Sequence, residues 1–309
     1  MNLSTYVNNP GRIIVLLMGA GLFNWVNDET YLKLRYKIIM GKRLNLEQPQ
    51  TFNEKLQWLK LNDRQEKYTQ FVDKYEVKRF VGEKLGEEVI IPTLGVWDSC
   101  EDIDFKNLPN QFVLKCTHDS GGVYICTDKT NFAYELVKKR ISEHLKHNFF
   151  YQSREWPYKN VRPRIIAEKY MVSKDGHGLN DYKLMCFNGV VRCLFVCTNR
   201  YSKHGLNVTF FDTSWNRLPF ERHYPQDKSS INKPANLDKM ITFAEKLSTN
   251  IPFVRVDFYE IDGRIYFGEM TFFPGGGTEE FTPDSWDYKL GTWIKLPDTA
   301  SHNENDWYV

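Results

Sequence analysis

Apolar and polar positions in the first part of the chain are spaced for helices. The stretches 30-TYLKLRYKIIMGKRL-44 and 51-TFNEKLQWLKLN-62 read as helices separated by a turn at Pro49. The second opens with Thr51 and Glu54 in capping-box spacing, followed by apolar Leu56 and Leu59. A third, 68-YTQFVDKYEVKRFVGEKLG-86, is amphipathic, and Gly86 would end it. The character then changes. Residues 89–99 and 111–128 are rich in β-branched and aromatic side chains with Gly and Asp punctuation, so they read as strands and turns. A helix follows at 131–147, and then a Pro-broken, basic, aromatic loop, 148-NFFYQSREWPYKNVRPR-164. Strands return at 165–172, 181–189, 190–200 and 207–215, with Asn188-Gly189 as a strong hairpin turn. A helix at 236–249 leads into a last hairpin, 254-VRVDFYEIDGRIYFGEMTFFPGGG-277. Helices first and mixed strands afterwards imply an α+β fold with a mostly antiparallel sheet.

The run 13-IIVLLMGAGLF-23 is too short to span a bilayer, which takes ~20 apolar residues. It passes straight into charged sequence at 24-NWVNDETYLKLRYK-37, so a buried or surface-docked helix is the leading expectation. Peripheral membrane contact is the second and a cleaved signal the third.

Composition narrows the classes. A chain of 309 residues with 41% hydrophobic and 26% charged content is globular, and its net charge of +2 is no footprint for nucleic acid. The six cysteines show no CxxC and no metal-ligand spacing, which points to a reducing cytoplasm.

Candidate chemistry begins in the last hairpin. A two-residue turn at Asp262-Gly263 would put Asp257 and Glu269 on opposite faces. A three-residue loop with Gly263 left-handed pairs 260 with 264 and sets the two acids diagonal on one face, ~7–8 Å apart. That register gives one apolar face of Val254, Val256, Phe258, Tyr266, Gly268 and Met270. The other carries Arg255, Asp257, Glu269 and Thr271, beside Ile265 and Phe267. It is the expected one. Two carboxylates with a hydroxyl nearby suit Mg²⁺, which completes its shell with water and phosphate; the competing reading is a solvated outer face. A second signal is 113-VLKCTHDSGG-122, where Lys115 on a strand precedes a glycine turn able to nest an anion. A third is the strand end Glu168-Lys169-Tyr170-Met171, after which Lys183 puts a second lysine on a strand.

These residues resemble the ATP-grasp superfamily, and more closely the TupA-like ATP-grasp proteins of bacterial surface-polysaccharide biosynthesis. The blocks that carry the resemblance are 51–61, 73–81, 111–122, 154–171, 181–189 and 253–277, so it runs from about residue 30 to 297 and leaves the first ~28 residues outside. It implies two α+β subdomains clamping ATP after an N-terminal helical segment. The divisions are 1–50 (helical segment), 51–110 (α/β region), 111–171 (phosphate-flap subdomain) and 172–309 (metal and catalytic subdomain).

By resemblance, Lys115 is the phosphate lysine, Ser120-Gly121-Gly122 the flap, and Glu168 to Met171 the adenine hinge, read through backbone groups of Lys169 and Met171. Lys183 becomes a second phosphate contact, Asp257 and Glu269 ligands of two Mg²⁺ ions, and Arg255 the guanidinium on the transferring phosphoryl group. The superfamily often has Asn where this chain has Thr271, which makes the third metal ligand the departure from the pattern. Two readings stand for His118, a contact to γ-phosphate or substrate and a loop histidine bonded to backbone. Two also stand for Arg154, Tyr158, Arg162 and Arg164: a grip on an anionic sugar, or an exposed basic loop. Gly275-Gly276-Gly277 would admit substrate to the backbone, or simply leave the strand flexibly.

The activity implied is an ATP- and Mg²⁺-dependent carboxylate–amine ligase that works through an acyl phosphate. The carboxylate would belong to a uronic acid of a capsule, teichuronic or O-antigen precursor, and the amine to an amino acid or amino sugar. Rival readings are a glycosyltransferase of the same pathway, which would need a DxD motif at a strand end, an ATP-grasp kinase, and a non-catalytic nucleotide-binding protein.

Overall fold

A computed structural model describes residues 10–173, 180–199 and 205–298. Five helices come first: α1 (Pro10–Gly19), α2 (Asp28–Met40), α3 (Phe52–Asn62), α4 (Lys67–Val72) and α5 (Glu76–Leu85). The capping box at Thr51 and Glu54 is formed in full, and Gly86 ends α5 at φ 101°. The single helix expected over 68–86 is two. Asp73 interrupts it by accepting the N–H groups of Tyr75 and Glu76 (2.8 and 3.2 Å), a local bond that competes with helix continuation. Helix α1 is surface-docked: Met18 is fully buried, while Ile13, Ile14, Leu16, Leu17, Leu22 and Trp25 remain exposed around it.

Strands β1 (Thr93–Trp97), β2 (Phe112–Cys116), β3 (Val123–Cys126) and β4 (Ile165–Lys169) form an antiparallel sheet in the order β1-β4-β2-β3. Helix α6 (Tyr134–Leu145) packs Val137 and Ile141 onto its core of Phe112, Leu114, Cys116 and Ala167. The loop expected at 148–164 contains a short helix, α7 (Phe150–Ser153), and a single helical turn at Trp156–Tyr158.

The second sheet holds β5 (Asn180–Phe187), β6 (Val190–Thr198), β7 (Asn207–Phe211), β9 (Phe253–Ile261) and β10 (Arg264–Thr271), antiparallel in the order β10-β9-β5-β6-β7. A two-residue turn at Asn188-Gly189 joins β5 to β6, both residues left-handed. Helix α8 (Leu237–Leu247) covers one face, where its Phe243 ring meets Phe258. A small ribbon pairs β8 (Glu221–Arg222) with β11 (Phe281–Thr282). The last helix, α9 (Ser285–Trp293), packs back on α3, where Asp287 takes the N–H and side-chain amide of Asn53 (both 3.0 Å). There Gly291 leaves no room for a Cβ, which would lie 2.1 Å from Gln50 O.

The last hairpin corrects the expected register. Its turn is the two-residue Asp262-Gly263 (φ 50° and 75°), with Arg264 opposite Ile261 and Ile265 opposite Glu260. Ile265 and Phe267 therefore point to the core with Val254, Val256 and Phe258, and Tyr266 stands opposite Tyr259 on the other side. Phe267 pairs with Phe258, but Met270 pairs with Val256, so the register slips by one residue at Gly268-Glu269. This β-bulge returns Glu269 to the face of Asp257. The two acids do share a face, through an irregularity six residues downstream of the turn.

Candidate active site

Alternation along β5 and β9 sets Asp181, Lys183, Arg255 and Asp257 on the face opposite α8, with Lys183 directly across from Asp257. Arg255 grips Asp257 with Nε and Nη2 (2.7 Å each), and Nη2 also donates to Glu269 Oε1 at 2.7 Å. Lys183 donates to Asp257 Oδ2 and lies 2.6 Å from Asp181 Oδ2. Thr271 Oγ donates to Glu269 Oε1 at 3.1 Å. The structure thus gathers Lys183, Arg255, Asp257, Glu269 and Thr271, and adds Asp181. Sequence reasoning gave Asp181 no role, although its spacing of two from Lys183 on one strand was the available signal.

Burial opposes the charges of Asp181, Lys183, Arg255 and Asp257, and pairing with opposite charges works against it. For Asp257 burial would raise the carboxyl, yet Arg255 and Lys183 hold it below the ordinary range. For Arg255 burial works against the charge, but Asp257 and Glu269 outweigh it. Asp181 is raised, chiefly by burial. Among the described residues no group of three His, Cys, Asp or Glu side chains is arranged as a metal cage. A cation here would rest on Asp257, Glu269 and phosphate oxygens, all hard oxygen donors, which fits Mg²⁺ on a nucleotide. Asp257, Glu269 and Asp181 also outnumber Lys183 and Arg255.

On the other sheet Lys115 Nζ donates to Glu168 Oε2 at 2.5 Å. Lys78 of α5 reaches Glu168 Oε1 at the same distance and also donates to Ile91 O and Thr93 Oγ (2.8 and 3.0 Å). Burial raises the Glu168 carboxyl, but Lys115 and Lys78 together pull it below its usual value. Lys78 was missed because a lysine on an amphipathic helix looks like solvated surface. The Lys169 N–H is committed to Pro92 O (2.9 Å), so one main-chain donor of the expected hinge is already bonded. In the β2–β3 loop, Gly121 and Gly122 adopt positive φ (142° and 53°), and a Cβ on Gly121 would meet nothing. Ser120 and Gly121 are exposed. His118 is buried, with Nε2 3.1 Å from His144 O, which is the backbone-bonded reading of this residue. Burial depresses its pKa.

The 148–164 block divides by residue. Arg154 is a correction: it is buried among Tyr31, Phe150 and Tyr151, and donates to Phe23 O and Val26 O (3.0 and 3.3 Å). It anchors the N-terminal helices and does not face a substrate. Arg162 is exposed and paired with Asp98 at 2.7 Å, and Arg164 is held by Asp73 and Glu76 (2.8 Å each). Tyr158 is the member of the block near the cluster. Burial raises its hydroxyl well above the usual range, and the charges of Glu155, Glu269, Arg255 and Asp119 all act on it.

Gly275, Gly276 and Gly277 are left-handed in succession (φ 60°, 63°, 64°), a run that only glycine tolerates. Their carbonyls are taken from below: Lys60 Nζ donates to Gly276 O and Ser153 O (2.7 and 2.8 Å), and Gln57 Nε2 to Gly276 O and Gly277 O (3.0 and 2.7 Å). This turn is fixed, which corrects the flexible-exit reading. Lys60 is completely buried and its pKa is pushed down to about 7 by that burial, with Glu155 and Arg35 acting in opposite senses.

One sheet with a glycine loop and a lysine, and a second whose face opposite α8 carries carboxylates, a lysine and an arginine, together make an ATP-grasp architecture. The profile of TupA-like ATPgrasp proteins matches residues 54–295, and the chain belongs to that family. No curated protein matches it significantly. Similar solved structures include D-alanine–D-alanine ligase from Bacillus anthracis complexed with ATP, at 17% identity and TM-score 0.38, covering 65% of this chain and 55% of that one. The Helicobacter pylori D-alanine–D-alanine ligase is similar at 16% identity and TM-score 0.39, covering 73% and 61%. The ATP-grasp ligase PsnB, complexed with a minimal precursor, Mg and ADP, shares 9% identity at TM-score 0.38, covering 82% and 65%. The chain thus spans less than two thirds of the length of each.

Proposed function

We propose that the protein is an ATP- and Mg²⁺-dependent carboxylate–amine ligase. The observation that carries this reading is Arg255 held between Asp257 and Glu269, with Lys183 alongside, on the face of the second sheet opposite α8. A cation cluster balanced by acids in this way neutralises a phosphoryl group without supplying a nucleophile. A substrate carboxylate oxygen attacks the γ-phosphorus, ADP leaves, and an amine then displaces phosphate from the acyl phosphate and loses its proton to form the amide. Lys115 and Lys183 contact phosphate oxygens, and Ser120, Gly121 and Gly122 close over them. Glu168, Lys169, Tyr170 and Met171 receive the adenine. Asp257, Glu269 and Thr271 would hold Mg²⁺, which would supply positive charge to offset that of the phosphates. Tyr158 and the Gly275–Gly277 turn border the acid. The polysaccharide setting, a uronic acid joined to an amino acid or amino sugar, follows from the family resemblance.

Peripheral membrane contact belongs to the same reading. Its support is the exposed apolar side of α1 together with the charge of residues 1–44, which hold six Lys and Arg against two Asp and Glu. No helix among the described residues is long and apolar enough to cross a membrane.

The test is purified protein with ATP, Mg²⁺ and a panel of uronic acids and amino acids, scored for ADP release and amide mass. Release that needs both an acid and an amine supports the ligase. Release of UDP from a sugar nucleotide with no use of ATP sinks it.

A further inference from the structure

Arg222, on β8, packs against the face of the second sheet opposite α8 but outside the cluster described above. It is 5% exposed and sits against the rings of Phe195 and Phe210, its Cζ 4.5 and 5.4 Å from their centroids. Arg255 stacks on the same Phe195 ring at 5.8 Å, which places the two guanidiniums beside one another in the site. The pairing of Arg222 is incomplete. Its Nε is 3.0 Å from Glu279 Oε2 without hydrogen-bond alignment, and Nη1 has no hydrogen-bond partner. Burial and the nearby Arg255 both work against its charge, and Glu279 is the main group supporting it.

Glu279 is placed to let go. Its side chain is the more exposed of the pair, at 20% against 6%. Its backbone is held independently, because Asn53 Nδ2 donates to Glu279 O (2.9 Å) and Asn53 Oδ1 accepts its N–H (3.4 Å). The carboxylate also folds over Gly275, where a Cβ would come within 2.2 Å of it, so it covers the glycine turn that follows Thr271. A stacked guanidinium keeps its edge donors for a planar, bidentate acceptor. A buried guanidinium with a single off-axis carboxylate is short of such acceptors.

We propose that Arg222 docks the anionic group of the carboxylate substrate, and that this group replaces Glu279 on it. The proposal rests on the ligase reading and gives that site its substrate class: an acid presenting a carboxylate, as a uronate does. Arg255 then serves the transferred phosphoryl group while Arg222 holds the acid.

The experiment is thermal unfolding of the full chain titrated with sodium D-glucuronate or D-galacturonate, against D-glucose at matched sodium. At least one uronate should raise the Tm of the wild type, and glucose should not. Arg222→Met should need roughly 10- to 100-fold more uronate for the same shift, the loss expected of a charged hydrogen-bonding pair. Arg222→Lys should fall between the two and guards against a misfolded Met variant. Glu279→Gln should respond at several-fold lower uronate, because it frees Arg222; a purely structural arginine would not produce this gain. An equal uronate response in Arg222→Met and the wild type overturns the proposal, as does an unchanged or weaker response in Glu279→Gln, or none in any form. Mg-ATP titrated into the same proteins reads the ligase proposal separately. Loss of that shift with the uronate responses intact would count against the ligase and leave the anion site standing.

Discussion

Asp257 and Glu269 are unequal partners, and the difference decides how each should behave on substitution. Asp257 is 1% exposed and is the carboxylate that Arg255 and Lys183 share, so Asp257→Asn breaks a buried pairing with each of them. Breaking a buried pair in this way costs about 3–5 kcal/mol, and the variant should lose Tm as well as activity. Glu269 has a side chain 46% exposed, so Glu269→Gln should keep the wild-type Tm within a few degrees. Its ADP release should fall at least ~100-fold, as for other groups that stabilise transferring charge; retained turnover would remove Glu269 from the metal set. Glu168 contributes to the acid dependence. Its folded pKa lies below the ordinary 4.5, so its stabilisation is present above that value and is lost as pH falls through the folded pKa. Tm plotted against pH below about 4.5 should be flatter in Glu168→Gln than in the wild type. Lys115, Lys183, Arg255, Asp257 and Glu269 were legible in sequence because they stand on strands and the family blocks mark them. Lys78, Lys60 and Arg222 were not, since their roles depend on burial against groups distant in sequence.

At the scale of elements, the bulge does what the turn was expected to do. Gly268 lies where a Cβ would meet Asp257 O at 3.1 Å and Asp257 Cβ at 3.3 Å. Gly268→Ala should therefore press on the bulge and shift Glu269 away from Arg255, lowering Tm and Mg-ATP-dependent turnover together. Unchanged turnover would show that the bulge does not set the acid's position. Turn chemistry elsewhere was readable, at Asn188-Gly189, Thr51 with Glu54, and Gly86, because each is set by residues adjacent in sequence. The hairpin register was not. A three-residue loop and a two-residue turn with a later bulge both bring the acids together, and packing of Ile265 and Phe267 into the core selects the second. The split of 68–86 was hidden for a related reason, since Asp73 fits an amphipathic pattern until its carboxylate is seen to cap its own backbone.

Across the whole molecule, the apolar side of α1 predicts behaviour at a surface. Vesicles with about one third anionic lipid should carry the protein upward in a density gradient, more weakly at high salt. A Leu16→Ser, Trp25→Ser double substitution should abolish flotation while leaving turnover with soluble substrates unchanged; flotation that survives it would assign the contact elsewhere. The α+β class and its antiparallel pairing were legible from the order of helices and strands, whereas the division into two sheets was implied only by the family resemblance. The closure of the last helix on the third was not, because nothing local in 285–293 names its partner.

That closure has a consequence for synthesis. Lys55 of α3 donates to Gly291 O and Ile294 O (2.8 and 2.7 Å), and Lys60, one turn further along, holds the glycine turn of residues 274–277. Helix α3 thus waits for residues translated 216 to 239 positions later. Until they emerge, α3 shows its apolar side to chaperones and proteases, and contacts so distant in sequence form slowly. Nascent chains halted before residue 285 should be protease-sensitive at 52–62, and released full-length chains protected there.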